Sequence, residues 1–168
     1  MSRAVYQSLY NQKRFDTGLC RGCGKPNENG HFSCPDCRKR QSEREKTTKQ
    51  SRIAAGLCPR CGETALPDSQ LCRRCYFYKV ATETLKDARK ALPIAALFDE
   101  QHERCVYTDE LLILGVNASI DHKTPQCRGG GHNIENLQWV TKRINSNKFN
   151  LTHDEFVAEC SSIAAKFS

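Results

Sequence analysis

Eight of the chain's eleven cysteines fall into two blocks of one spacing. The first block is Cys20-x-x-Cys23, ten residues, then Cys34-x-x-Cys37. The second is Cys58-x-x-Cys61, ten residues, then Cys72-x-x-Cys75. Both open on Gly-Leu-Cys and carry glycine after the first pair, Gly24 and Gly62, so the blocks are a two-copy internal repeat. A Cys-x-x-Cys turn aims two sulfurs at one point, and the glycine lets backbone amides approach them. Two such turns supply the four soft ligands of a tetrahedral zinc. The spacing therefore predicts two structural zinc sites, Cys20, Cys23, Cys34 and Cys37, then Cys58, Cys61, Cys72 and Cys75. Iron–sulfur ligation is the alternative that spacing leaves open. Disulfides fit poorly, because the opening residues show no apolar leader and the expected location is intracellular rather than secreted. In pieces this small, metal takes over part of the work of a hydrophobic core.

Charge separates the two ends. Residues 1–104 carry 20 Lys and Arg against 12 Asp and Glu, and residues 105–168 carry 6 against 7. Each four-thiolate zinc site has a formal charge of about −2, so the first part is basic without being extreme. The cations cluster around the cysteines, notably Arg38, Lys39, Arg40, Arg73 and Arg74, where they suit phosphate contacts. Residues 38–55 have no apolar stripe until Ile53 and read as a solvated helix or flexible basic linker. Periodicity predicts a helix over Tyr76–Leu92 and a second over Pro93–Glu103. Beyond Cys105, strands are expected at Leu111–Leu114, Val116–Ile120 and Leu137–Val140, with a helix over Thr141–Phe149. Thr152-His153-Asp154-Glu155 reads as a capping box, with Leu151 and Phe156 as a staple, opening a last helix. Its stripe of Phe156, Cys160, Ile163 and Phe167 reads as core, with a dimer surface as the alternative. Trp139, Phe149, Phe156 and Phe167 are expected to hold the hairpin to the helices.

The chemistry-bearing residues lie in the acidic end. Asp121 and His122 are adjacent at the end of an expected strand; a carboxylate there can hold a hard divalent cation, and the histidine can act as a base near neutral pH. Asn145, on the following helix, offers an amide oxygen as a second ligand. A base for water and a cation at the phosphate are what phosphodiester hydrolysis needs.

Asp121-His122, Pro125, the Gly129–Gly131 loop, His132, Asn136-Leu137-Gln138, Asn145 and Lys148 together resemble, in order and spacing, the HNH endonuclease family. The resemblance covers about a quarter of the chain. It implies a ββα-metal domain in which Asp121 and Asn145 hold one catalytic divalent ion, magnesium or manganese. His122 would be the general base. Asn136 would tie the loop, and His132 and Lys148 would contact phosphate. The size, the zinc modules and the run from Asn133 to Thr141 look most like an intron-encoded homing endonuclease. The readings kept beside it are a phage or restriction-type nicking nuclease and a zinc-dependent DNA-binding regulator with an inactive nuclease fold. Many relatives carry a structural zinc in this domain; here Cys105 and Thr108, with Thr141 and Ile144, stand at those positions. No zinc is expected there, and Cys105 reads as a buried thiol.

The expected fold is a small, irregular α+β chain. Its first zinc-ribbon or knuckle module occupies 1–40, a basic linker 41–55, the second module 56–79, a helical connector 80–104 and an HNH nuclease domain with a C-terminal helix 105–168. The expected partner is double-stranded DNA, with a monomer slightly favoured over a homodimer.

Overall fold

The computed structural model describes residues 2–27 and 30–167. The described residues form a small α+β chain of six helices and one two-stranded antiparallel sheet, divided into compact units of residues 1–51 and 52–168. No described helix is long and apolar enough to cross a membrane.

In the first unit, α1 (Arg3–Asp16) leads into the first cysteine block, and α2 (Pro35–Ala54) begins at its last pair. α2 settles the choice at 38–55 in favour of helix. It has no buried residue, and local bonds such as Gln41 Nε2 to Glu45 Oε1 at 3.0 Å support it. The division between units falls in its last turns, inside the expected linker.

In the second unit, the cysteine block runs into α3 (Arg73–Glu83), a 3-10 turn at Ala88–Lys90 and α4 (Ala91–Glu100). Strand β1 (Ala118–His122) pairs with β2 (Leu137–Thr141) in register Ala118↔Thr141 to His122↔Leu137. α5 (Lys142–Lys148) and α6 (His153–Phe167) follow. Phe77 of α3, Phe98 of α4 and Trp139 of β2 meet edge to face, with centroids 5.2–5.7 Å apart. The Trp139 indole N–H donates to Ile94 O at 2.8 Å. Gln101 acts as a substitute strand neighbour: its Oε1 accepts from Trp139 N at 2.8 Å and its Nε2 donates to Trp139 O at 2.9 Å. The segments 56–79, 80–104 and 105–168 thus share one core, reaching from Phe77 and Ala81 through Leu85 to Phe156, rather than standing as three bodies.

Three expected elements differ. The helix over Tyr76–Leu92 stops at Glu83, because the chain turns at Lys86 (φ +55°) to bury Leu85. Leu111–Leu114 is not a strand. Only Leu111 bridges, to Arg104, and the Asn117 side chain takes Ile113 N (2.6 Å) and Leu111 O (2.9 Å). The stripe on α6 is not core either: only Phe156 is buried, and Phe149 is also exposed. The capping box holds, with Thr152 N donating to Glu155 Oε2 at 2.8 Å and Glu155 N to Thr152 Oγ1 at 3.3 Å.

Candidate zinc centres and candidate active site

Each cysteine block closes the same way. Cys20 N donates to Lys25 O and Gly24 N to Cys20 O, both at 2.8 Å. Cys58 N donates to Glu63 O at 2.7 Å and Gly62 N to Cys58 O at 2.8 Å. Gly24 and Gly62 sit at φ +73° and +83°, the left-handed turn the repeat demands of glycine. The repeat also extends upstream of the cysteines. Arg14 Nη1 donates to Arg21 O at 3.1 Å, and its counterpart Arg52 donates to Pro59 O at 3.2 Å. Sequence reasoning missed these two arginines, although they stand at the repeat's own offset.

Within each group of four, the sulfurs lie within 4.8 Å of one another. Zn–S bonds of ~2.3 Å give a tetrahedron with edges of ~3.8 Å. Cys23–Cys34 at 3.8 Å, Cys61–Cys75 at 3.7 Å and Cys61–Cys72 at 3.4 Å come close to that edge. The electrostatics fit a dication too. Backbone hydrogen bonding at Cys34 leads the causes that bring the Cys20 thiol down to about 6. At Cys58 burial opposes ionisation, but backbone hydrogen bonds with Cys72, Cys61 and Arg60 outweigh it, again giving about 6. Cys37 is pushed up to about 11: Arg40 pulls it down, but desolvation and the other sulfurs prevail. Burial drives Cys72 and Cys75 upward. Cys20 and Cys58 are ready to ionise while Cys37, Cys72 and Cys75 resist, so a full thiolate set needs a cation at its centre.

The expected phosphate contacts around the cysteines divide. Arg38 and Lys39 are exposed on α2, and Arg40 reaches Cys37 Sγ at 3.1 Å. Arg73 is paired with Asp99 and Glu103 and lies over the Phe77 and Phe98 rings. Arg74 pairs with Glu63 at 3.2 Å. Both are held by the protein's own carboxylates at its surface, Arg74 being the more exposed of the two.

At the other end of the second unit, Asp121 and His122 close β1, and both are buried. Asp121 Oδ2 accepts from Gln138 Nε2 at 2.8 Å and Oδ1 from Lys148 Nζ at 3.2 Å; Lys148 also donates to His122 O at 2.8 Å. Lys148 is 1% exposed, so it neutralises Asp121 instead of reaching out to phosphate. Gln138 Nε2 also donates to the Tyr107 hydroxyl (2.8 Å), which meets His153 Nδ1 at 2.9 Å. Burial pushes the Tyr107 phenol up to about 12. His122 Nε2 lies 2.8 Å from His132 Nδ1. Burial, then the charge of His132, hold His122 below the ordinary histidine value, so it favours the neutral form.

Asn136 ties the intervening loop. Its Oδ1 accepts from Thr124 N at 2.8 Å, and its Nδ2 donates to Thr124 O (3.1 Å) and Gly131 O (2.8 Å). The loop is tight at Gly130, where a Cβ would stand 1.7 Å from Thr124 O. Asn145 Nδ2 donates to Ser119 Oγ (2.9 Å) and Ile120 O (3.3 Å), which sets α5 against β1 beside Asp121. Cys105 is buried, and although burial opposes ionisation, hydrogen bonds from the Thr108 side chain and from the backbone of Tyr107, Thr141 and Thr108 lower its thiol.

The two residues expected to hold a hard divalent cation are one carboxylate, Asp121, whose oxygens already accept from Gln138 and Lys148, and one amide, Asn145. Among the described residues, the only groups of three or more His, Cys, Asp or Glu close enough to hold an ion are the two cysteine sets. An all-oxygen pair of this kind suits an ion that keeps most of its shell from water and phosphate. Sequence reasoning placed Gln138 in the motif without giving it a role, and it missed Tyr107 and His153 as participants. Tyr107 and Gln138 are 31 residues apart, and nothing local announces their contact. Comparison with protein-family models, curated proteins and solved structures gave no match to this chain in any of the three.

Proposed function

We propose that this protein is a divalent-metal-dependent DNA endonuclease of the HNH, ββα-metal kind, with both cysteine modules loaded with zinc. The observation that carries the reading is the juxtaposition of Asp121 and His122 at the end of β1 with Asn145 and Lys148 on the helix after β2. Asp121 and Asn145 would hold magnesium or manganese, which when bound supplies charge neutralisation at the phosphate and leaving oxygen. His122 takes the proton of the attacking water. When it donates its Nε2 hydrogen to His132, the lone pair sits on Nδ1 and can accept that proton. Attack on phosphorus breaks the bond to the 3′ oxygen, leaving a 5′-phosphate and a 3′-hydroxyl. Asn136 fixes the loop that carries His132. The exposed α2 cations Arg38 and Lys39 supply backbone contacts to duplex DNA, and specificity comes from the zinc modules rather than from the cutting site. A homing role is the preferred setting; a phage or restriction-type nicking enzyme would use the same site.

Supercoiled plasmid incubated with zinc-loaded protein is expected to be cut with magnesium and left intact with a chelator too weak to strip zinc from thiolates. His122→Ala should abolish cutting and keep DNA binding. Full activity in that variant would sink the assignment. A second reading, a zinc-dependent DNA-binding regulator with an inactive nuclease fold, draws on the Lys148 ammonium already seated at Asp121. Binding without cutting under every divalent ion would select it.

A further inference from the structure

We infer that the outer turns of α6 form a two-fold contact with α6 of a second copy of this chain. The base of the helix is well fixed. Phe156 is buried edge to face with Tyr107 at 5.1 Å, His153 stacks on the same ring, and Glu155 pairs with Arg128. From Val157 to Phe167 every residue is exposed. A helical stretch with an uncovered apolar face is hard to maintain alone in water.

At about 100° per residue, Phe156, Cys160, Ile163 and Phe167 fall within an arc of ~60°. The face that is core at Phe156 therefore continues outward, with Ile163 54% and Phe167 80% exposed. Charge selects the occupant and its direction. Glu155, Glu159 and Lys166 share one flank of the stripe, while beyond the first turn the other flank holds Val157 and Ala164 and no charge; Asp154 and Ser161 lie on the back of the helix. In an antiparallel two-fold pair, like flanks meet. Glu159 then faces Lys166 of the second copy, Lys166 faces Glu159 of the second copy, and the two Ile163 side chains lie beside the axis. A parallel pair would set Glu159 and Lys166 against the uncharged flank of Val157 and Ala164 and leave both lysines unmatched. The contact uses only a few side chains from each copy, below ~1,000 Å² in all, so a dissociation constant on the order of 10 µM is expected. None of this depends on the nuclease reading.

Sedimentation velocity of the full zinc-loaded chain over roughly 1 to 200 µM should show a monomer–dimer equilibrium. Phe167→Glu or Ile163→Glu, both at exposed positions, should weaken it at least tenfold without lowering the melting temperature. Glu159→Lys alone should weaken it, and Glu159→Lys with Lys166→Glu should restore it. A wild-type monomer at every concentration would overturn the proposal. Melting temperatures lowered by the α6 variants in such a monomer would indicate that the helix is covered within its own chain, which also overturns it. Failure of the double reversal to restore the dimer would overturn the antiparallel pairing.

Discussion

Lys148 and Asp121 form the one buried ion pair among the described residues, with side chains 1% and 6% exposed. Replacing Lys148 with Met keeps the length of the chain stem but removes the ammonium. Asp121 is then left in the interior with a single neutral donor, Gln138 Nε2. Breaking a buried pair from one side costs about 3–5 kcal/mol, because the remaining charge has neither water nor a counter-ion. For a unit the size of residues 52–168, about 4 °C per kcal/mol converts this to a fall of roughly 12–20 °C in Tm. Removing both charges, with Lys148→Met and Asp121→Leu, should recover most of the loss, since neither ion then has to be buried. The assay is urea unfolding of the full zinc-loaded chain followed by circular dichroism, run as a double-mutant cycle. A loss below ~1 kcal/mol for Lys148→Met, or a double variant as unstable as the sum of the singles, would refute the pairing.

Because Lys148 already balances Asp121, Mn²⁺ should bind free protein weakly at this site and at least tenfold more tightly with duplex DNA present. Electron paramagnetic resonance of unbound Mn²⁺ reads this directly. Cys34→Ala and Cys72→Ala should each lower zinc content from two to one per chain by metal analysis, with only Cys72→Ala unsettling the aromatic core behind α3. Gly130→Ala should cost on the order of 2–4 kcal/mol in urea unfolding, since its Cβ would meet backbone that Asn136 holds in place. Arg128, then Thr152, hold the Glu155 carboxyl down at about 2. Its cap on α6 should thus be complete above the ordinary carboxylate range and fade as pH falls through about 2, which protection of Thr152 N–H against hydrogen exchange can follow. Glu155→Gln should remove that pH dependence.

The parts that were legible in sequence are those fixed by local chemistry. Cysteine spacing defines each sulfur cluster because its four ligands come from one short stretch. The Thr152–Glu155 box opens α6 because both bonds span three residues. The Asn136 tie was implied by the family resemblance, not by local chemistry, since its bonds to Thr124 reach across twelve residues. What escaped depends on partners far along the chain. A lysine is normally a surface residue, so nothing marked Lys148 for the interior until Asp121 was seen beside it. Leu111–Leu114 has strand composition, but the Asn117 side chain takes its backbone bonds. The α6 stripe has the period of a core helix, and period alone does not say whether a neighbour lies against it. The expected break between residues 79 and 80 overlooked how far α3 reaches into the hairpin core through Phe77.

Trp139 is the chain's single tryptophan, fully enclosed where α3, α4 and β2 meet, and α3 begins on the last two cysteines of the second block. Its ultraviolet emission is therefore a built-in meter for zinc loading at the second cysteine set only. Stripping the second module should loosen Phe77 and shift the indole emission to the red. Stripping the first, in a unit that contains no indole, should pass unseen, so the indole reports on the second cysteine set and is silent about the first.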